Sequence, residues 1–240
     1  MTVLAVISAT MNITKAGQIL DTGTWMGALS PAIRTALLAA GRIRTLDDGT
    51  AIYRTGDPGE GLYAMLEGEV RLIGHSEAGR RIVYLILRPG DWFGEISVLD
   101  GKPRFHDAIA FGPCTILHVD TGQIDAIAAE HPRFDRAIGA LACSHQRTAL
   151  AFVEQALTAS SETRLAFILV ELAGRWGVAT TRGVEIDLRL SQEDLAAMVG
   201  LSRQSLAALL GRLRREGLVD TRYTRLTILD LDRLKLRCGR

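Results

Sequence analysis

Apolar positions recur at helical spacing from Trp25 to Ala40, at Met26, Leu29, Ile33, Leu37 and Leu38, and Ser30-Pro31 offers a helix start inside the segment. The texture changes at Arg42. From there to Val119, short β-branched and apolar runs alternate with turn-forming clusters: Asp47-Asp48-Gly49, Gly56-Asp57-Pro58-Gly59, Glu67-Gly68, Glu77-Ala78-Gly79, Pro89-Gly90-Asp91 and Gly101-Lys102-Pro103. Short strands at regular spacing with turn chemistry between them predict an all-β sandwich or barrel. After Asp120-Thr121 the period is again helical. From Pro132 to about Ala159 there is only Gly139 and no further Pro, which predicts a helix roughly 40 Å long at ~1.5 Å per residue.

That long helix carries two stripes. Phe134, Ile138, Leu141, His145, Thr148 and Phe152 follow alternating spacings of four and three, and Ala142, Ala149, Val153 and Ala156 run beside them. Two stripes need two partners: the β domain, and the same helix of a second copy, as in an a/d seam. The pattern therefore predicts a homodimer, with an ordinary core helix of a monomer as the alternative that polar His145 and Thr148 keep open. Ser160-Ser161-Glu162-Thr163 is a polar break, and Arg164 to Trp176 is again helical. The predicted organisation is an extension at 1–24, a β domain at 25–130, a dimerisation helix at 131–159 and a second domain at 160–240.

The segment from Leu190 to Leu206 is the most informative. Ser191 with Asp194 three residues later is a helix-start signature, Gly200 suits a left-handed helix end, and Ser202 can cap the next helix. Two short helices around a tight turn follow. In the second, Leu206, Leu209, Leu210 and Leu213 share one side and leave Arg203, Gln204, Ala207, Ala208 and Gly211 on the other. Small residues let a helix sit deep in a major groove, while Arg can pair with guanine and Gln with adenine from its first turn. Ser191, Ser202, Arg203, Gln204, Ser205, Ala207 and Ala208 are the candidate DNA-facing residues. Leu218-Val219-Asp220 and Leu226-Thr227-Ile228-Leu229 read as two strands around Arg222, Tyr223 and Arg225, a basic hairpin suited to phosphate.

Charge agrees with that reading. The whole chain of 240 residues has a formal net charge of only +1, but residues 182–240 hold twelve Lys/Arg against eight Asp/Glu. Cys114, Cys143 and Cys238 lie far apart, so neither a disulfide framework nor a four-cysteine metal site is expected within one chain. The apolar run from Val3 to Ile7 is too short for a signal-peptide core, and no stretch approaches the ~18 apolar residues of a spanning helix. A cytoplasmic protein without membrane contact is expected.

The order of β domain, long helix and winged helix-turn-helix resembles the cyclic-AMP receptor and fumarate–nitrate regulator family of bacterial transcription factors. The resemblance rests on Phe93-Gly94-Glu95-Ile96-Ser97-Val98-Leu99, followed by Arg104, and on the Val-Gly-x-Ser-Arg core at Val199 to Arg203. It implies an α+β fold: an N-terminal double-stranded β-helix (a jelly-roll-like β-roll), a long dimerisation helix and a C-terminal winged helix-turn-helix. It also implies a dimer on an inverted-repeat operator in double-stranded DNA, with RNA polymerase as partner, and cyclic AMP or cyclic GMP as effector. In nucleotide-binding members the residue matching Glu95 accepts the ribose 2′-hydroxyl, the residue matching Arg104 pairs with the cyclic phosphate, and the amides at Gly94 and Glu95 add hydrogen bonds. Ile96, Phe105 and Thr148 complete the candidate ligand set.

Four positions depart from the family pattern. Phe105 and His106 stand where small residues are usual, Thr148 is the only hydroxyl in Thr148-Ala149-Leu150, and Ala208 replaces an Arg that contacts bases in some members. The absence of cysteine from residues 1–113 excludes the iron–sulfur centre of the fumarate–nitrate type. A haem would need a ligand among His75, His106, His118, His145 and Cys114, and no spacing singles one out. An enzyme using His106, Asp107, Glu95 and His118 is the competing class. It lacks a His-x-His pair, a nucleophile motif and a P-loop, and leaves the helix-turn-helix unexplained. A nucleotide-binding regulatory protein acting on a protein partner is the third, and a family member sensing a non-nucleotide ligand also remains open.

Overall fold

The computed structural model describes residues 11–77, 81–188, 190–222 and 225–238; the Val3 to Ile7 run lies outside them. The chain forms two units, residues 1–74 with 84–146, and residues 75–83 with 147–240.

The first unit opens with three short helices, α1 (Ile13–Leu20), α2 (Thr24–Ala28) and α3 (Pro31–Ala40). The periodicity at Trp25 to Ala40 thus becomes two helices, because Ser30 caps α3 by accepting from the Ile33 amide and Pro31 has no amide to continue α2. Six strands follow: β1 (Arg42–Leu46), β2 (Ala51–Tyr53), β3 (Gly61–His75), β4 (Arg81–Leu87), β5 (Trp92–Phe93) and β6 (Asp107–Asp120). They pair in the order β1-β6-β3-β4, with β2 also on β6 and β5 on β3. This is the expected β-roll.

The sequence places a turn at Glu67-Gly68, but β3 runs through it as a bulge. Its pairing with β6 shifts register on both sides of Glu67, and Gly68 takes a φ of +80° close to the Pro113 carbonyl. The extra residue exchanges the faces of the strand. Before it, Leu62, Ala64 and Leu66 face a core shared with the helices while Tyr63 and Met65 face the roll interior; after it, even-numbered Val70 and Leu72 take the interior. A bulge therefore lets one 15-residue strand serve two cores.

Two helices close the unit. The Asp120 side chain caps α5 (Thr121–Glu130) by accepting from the Gln123 amide. α6 (Phe134–Thr158) is the long helix, 25 residues in one piece. Phe134, Ile138 and Leu141 are buried against the helical core, and the Trp25 indole donates to the Ala137 carbonyl at 2.7 Å. Beyond Gln146 the same helix belongs to the second unit, where Phe152 packs edge-on to Phe167.

The polar break is only two residues long, since Ser160 already caps α7 (Ser161–Trp176). Two strands absent from the sequence reading follow, β7 (Gly177–Thr180) and β8 (Gly183–Ile186). Then come α8 (Gln192–Val199), α9 (Arg203–Arg215), β9 (Val219–Arg222), β10 (Arg225–Ile228) and α10 (Leu231–Arg237). The expected two-stranded wing is part of a four-stranded sheet, β7-β8-β10-β9. Pairing with β8 gives β10 a partner on each side, which protects one edge of a short hairpin. Among the described residues no helix is long and apolar enough to cross a membrane.

Candidate ligand site and nucleic-acid interface

In the roll, β5 ends at Phe93 and the chain turns at Gly94 with a φ of +92°, a conformation a glycine adopts without strain. A Cβ there would lie 3.0 Å from Arg104 Nη1 and from the Gly61 carbonyl oxygen, so any side chain at this position would press on the arginine. Glu95 starts α4 (Glu95–Asp100), buried, as is Ser97.

Arg104 is 3% exposed. Its Nη1 donates to the Gly94 carbonyl at 2.7 Å, its Nη2 donates to the Gly61 carbonyl at 2.9 Å, and its guanidinium carbon sits 4.4 Å from the centre of the Tyr53 ring. Arg104 Nε is buried with no hydrogen-bond partner among the described residues. Around it Tyr53, Tyr63, Phe93 and His106 form an aromatic cluster. Burial pushes the Tyr53 and Tyr63 hydroxyls up from their ordinary range, against the opposing pull of Arg104. Burial lowers the His106 imidazole, against the opposing pull of Glu95 and Asp107.

Three further candidate residues have the following surroundings. Phe105 does not fill the roll: it is 57% exposed, with its ring edge-on to His106. Ile96 is partly exposed on α4, and Thr148 is half-buried on α6. The sequence placed His145 in a helix seam, but its Nδ1 donates to Glu95 Oε1 at 2.8 Å. No local signal could have revealed that contact, since the partners are fifty residues apart. An orphaned Arg104 Nε beside a bare glycine backbone fits a ligand carrying an anionic group, and Glu95 fits a hydroxyl donor. Among the described residues no group of three His, Cys, Asp or Glu could hold a metal ion.

In the second unit the helix-turn-helix follows its sequence signals closely. Ser191 accepts from the Asp194 amide while the Asp194 carboxylate accepts from the Ser191 amide, a complete capping box. The Ser191 hydroxyl also donates to Asp194 at 2.6 Å, so it is engaged in the cap. Asp194 accepts in addition from Arg81 at 2.9 Å, a contact within this unit that the sequence did not foretell. Gly200 ends α8 at a φ of +72°, and Ser202 caps α9 through the Ser205 amide. Leu206, Leu209, Leu210 and Leu213 are buried; Ser202, Arg203, Gln204, Ser205, Ala207 and Ala208 are exposed.

Much of the local basic surplus is used inside the unit. Arg212 pairs with Glu162 at 3.0 Å, and Arg237 pairs with Glu162 and Glu216, tying α7, α9 and α10 together. Arg182 pairs with Asp220, and Arg225, exposed on β10, pairs with Glu185 at 2.9 Å. Arg203, Arg214 and Arg215 on α9 are exposed and make no ion pair among the described residues; the last two were not singled out from the sequence. Arg222 and Arg225 lie opposite each other at the ends of β9 and β10, within the strands rather than between them. Tyr223 of the expected hairpin lies outside the described residues.

Residues 43–131 match the family model described as a cyclic nucleotide-binding domain, and residues 163–237 match that of a Crp-like helix-turn-helix domain. The chain is 30% identical over 188 residues to a global nitrogen regulator of Synechocystis sp., covering 78% of this chain and 84% of the relative. It is 27% identical over 190 residues to a CRP-like cAMP-activated global transcriptional regulator of Mycobacterium tuberculosis, covering 79% and 84%. The structure of FixK2 from Bradyrhizobium japonicum shares the fold, with a TM-score of 0.73 over 82% of this chain and 96% of that one at 21% identity.

Proposed function

This chain belongs to the CRP/FNR family of DNA-binding transcription regulators, and from that premise we propose that it works as a homodimer on an inverted-repeat operator under control of a cyclic nucleotide. The observation that carries the DNA reading is α9: a leucine ridge buried on one side, and Arg203, Gln204, Ala207 and Ala208 exposed on the other. Arg203 and Gln204 stand in the first turn, where side chains reach base edges when a recognition helix enters the groove. Two such helices in a dimer read half-sites about one helical turn apart, ~34 Å, or more where the DNA bends. RNA polymerase is the partner such an operator complex would address.

The dimer is supported by α6. Leu150, Val153 and Leu157 are exposed at spacings of three and four, an apolar stripe on a helix that continues from one unit into the other. Apolar stripes at such spacing are what paired helices bury.

Cyclic AMP or cyclic GMP is the proposed effector. Arg104 would hold the cyclic phosphate and Glu95 the sugar hydroxyl, with Gly94, Ile96 and Phe105 around them; Thr148 is a candidate from the family resemblance alone. A bound nucleotide supplies a new charge-assisted contact inside the roll, and it shifts the protein between states only by binding one of them better. One observation favours a second reading, a non-nucleotide effector: the Glu95 acceptor is already engaged by His145.

The deciding experiment selects operator sequences from a random pool with purified protein, with and without cyclic AMP and cyclic GMP. An inverted repeat enriched more strongly with nucleotide supports the whole reading. Enrichment indifferent to nucleotide retains the DNA reading and removes the effector, and no enrichment in any condition overturns the operator.

A further inference from the structure

Glu95 is buried to 3% exposure, and a buried carboxylate must be satisfied by donors, because desolvating its charge is otherwise very unfavourable. The structure meets that need from α6: His145 Nδ1 donates to Oε1 at 2.8 Å. The two side chains differ in access. The Glu95 side chain is 5% exposed and the His145 side chain 27%, so the imidazole can leave toward solvent while the carboxylate cannot. Oε1 is taken by the imidazole, and so little of Glu95 is accessible that a hydroxyl approaching that oxygen meets the ring in its place.

Building on the cyclic-nucleotide reading, we infer that His145 belongs to the effector site, where it competes with the nucleotide's 2′-hydroxyl for Glu95. The anionic end of the ligand does not enter that competition. Arg104 Nε, buried and without a hydrogen-bond partner among the described residues, lies in the same site, but the Arg104 bonds run to Gly94 and Gly61 and not to His145. His145 therefore selects on the hydroxyl alone. The competition also ties site occupancy to α6, since a ligand that takes Glu95 removes the contact holding that turn of the helix to α4.

The test is calorimetric titration of cyclic AMP and of 2′-deoxy cyclic AMP into the full-length protein, His145→Ala and His145→Leu. The Leu variant keeps bulk without a donor, and circular dichroism verifies the fold of each. Both variants should bind cyclic AMP about tenfold more tightly than the unaltered protein, the scale of one hydrogen bond to a charged group. Their affinity for the 2′-deoxy analogue should be unchanged. Binding of cyclic AMP by the variants alone also supports the competition. Equal cyclic AMP affinity in all three proteins overturns the role of His145 and leaves the effector reading intact. Equal tightening toward both nucleotides overturns it as well, because the gain is then mere room. Failure of every protein to bind either nucleotide overturns both readings.

Discussion

His145 on α6 and Glu95 at the start of α4 are fifty residues apart in the chain, and their side chains meet at 2.8 Å. The contact joins a residue whose place in the sequence suggests a helix seam to the first residue of α4, whose sequence suggests ligand binding. It makes the first half of α6 part of the roll's polar site as well as of its core, where Phe134, Ile138 and Leu141 are buried.

Arg104 has a structural duty alongside its proposed one. Its two terminal nitrogens satisfy the Gly94 and Gly61 carbonyls inside the roll. Arg104→Lys keeps the charge but loses the planar fork, and should lower stability by about 1–3 kcal/mol, measured as a shift in the urea midpoint. An unchanged midpoint would mean that these carbonyls find other donors.

On α9, Arg203→Ala should cut the preference for the selected operator over random DNA by roughly the 1–3 kcal/mol of one base-specific pair. Arg222→Ala or Arg225→Ala should instead weaken binding to all DNA and reduce the slope of log affinity against log salt by about one. Fluorescence anisotropy at several salt concentrations separates the two. Undiminished preference in the Arg203 variant would remove it from base readout.

Asp194 completes the capping box of α8 and also accepts from Arg81. Asp194→Ala should therefore destabilise beyond the ~1 kcal/mol typical of a lost cap, whereas Ser191→Ala should stay near that figure. Thermal unfolding of both variants checks the order.

Leu150, Val153 and Leu157 form the exposed apolar stripe of α6. Replacing Leu157 by Glu should weaken self-association at least tenfold without unfolding the chain, read by sedimentation velocity with circular dichroism. A variant that sediments like the unaltered protein would point to another dimer surface.

Two histidines give stability a pH dependence. Burial lowers the imidazoles of both His106, which faces Glu95, Arg104 and Asp107, and His118, which faces Glu60, Arg44 and Asp120. Between the ordinary histidine value near ~6.5 and the lowered native one, the unfolded chain binds more protons than the folded one. Stability should thus be level above that value and fall as pH drops below it. Melting temperatures between pH 7 and 5 should show the decline, and His106→Phe should make it shallower, leaving the contribution of His118.

The helix-turn-helix was legible almost residue by residue, because Ser191, Asp194, Gly200 and Ser202 bond to backbone groups three or four positions away and the leucines of α9 follow one period. The roll was legible as strands and turns but misread at Glu67-Gly68. A glycine at positive φ serves a bulge as well as a turn, and only pairing with β6 distinguishes them. β7 and β8 escaped notice because four residues are too few to establish a period. The basic surplus was correctly counted, yet Arg182, Arg212, Arg225 and Arg237 have partners within the unit that no count reveals.

By itself the sequence determined what short-range physics controls: where the period is two or near 3.6, where helices are capped, and which face of α9 is apolar. Tertiary structure alone decided where Arg104 donates, which carboxylate His145 meets, and which core each half of β3 serves. Those outcomes depend on residues from ten to about sixty positions apart, brought together by strand register and helix docking, and local propensity carries no record of such contacts.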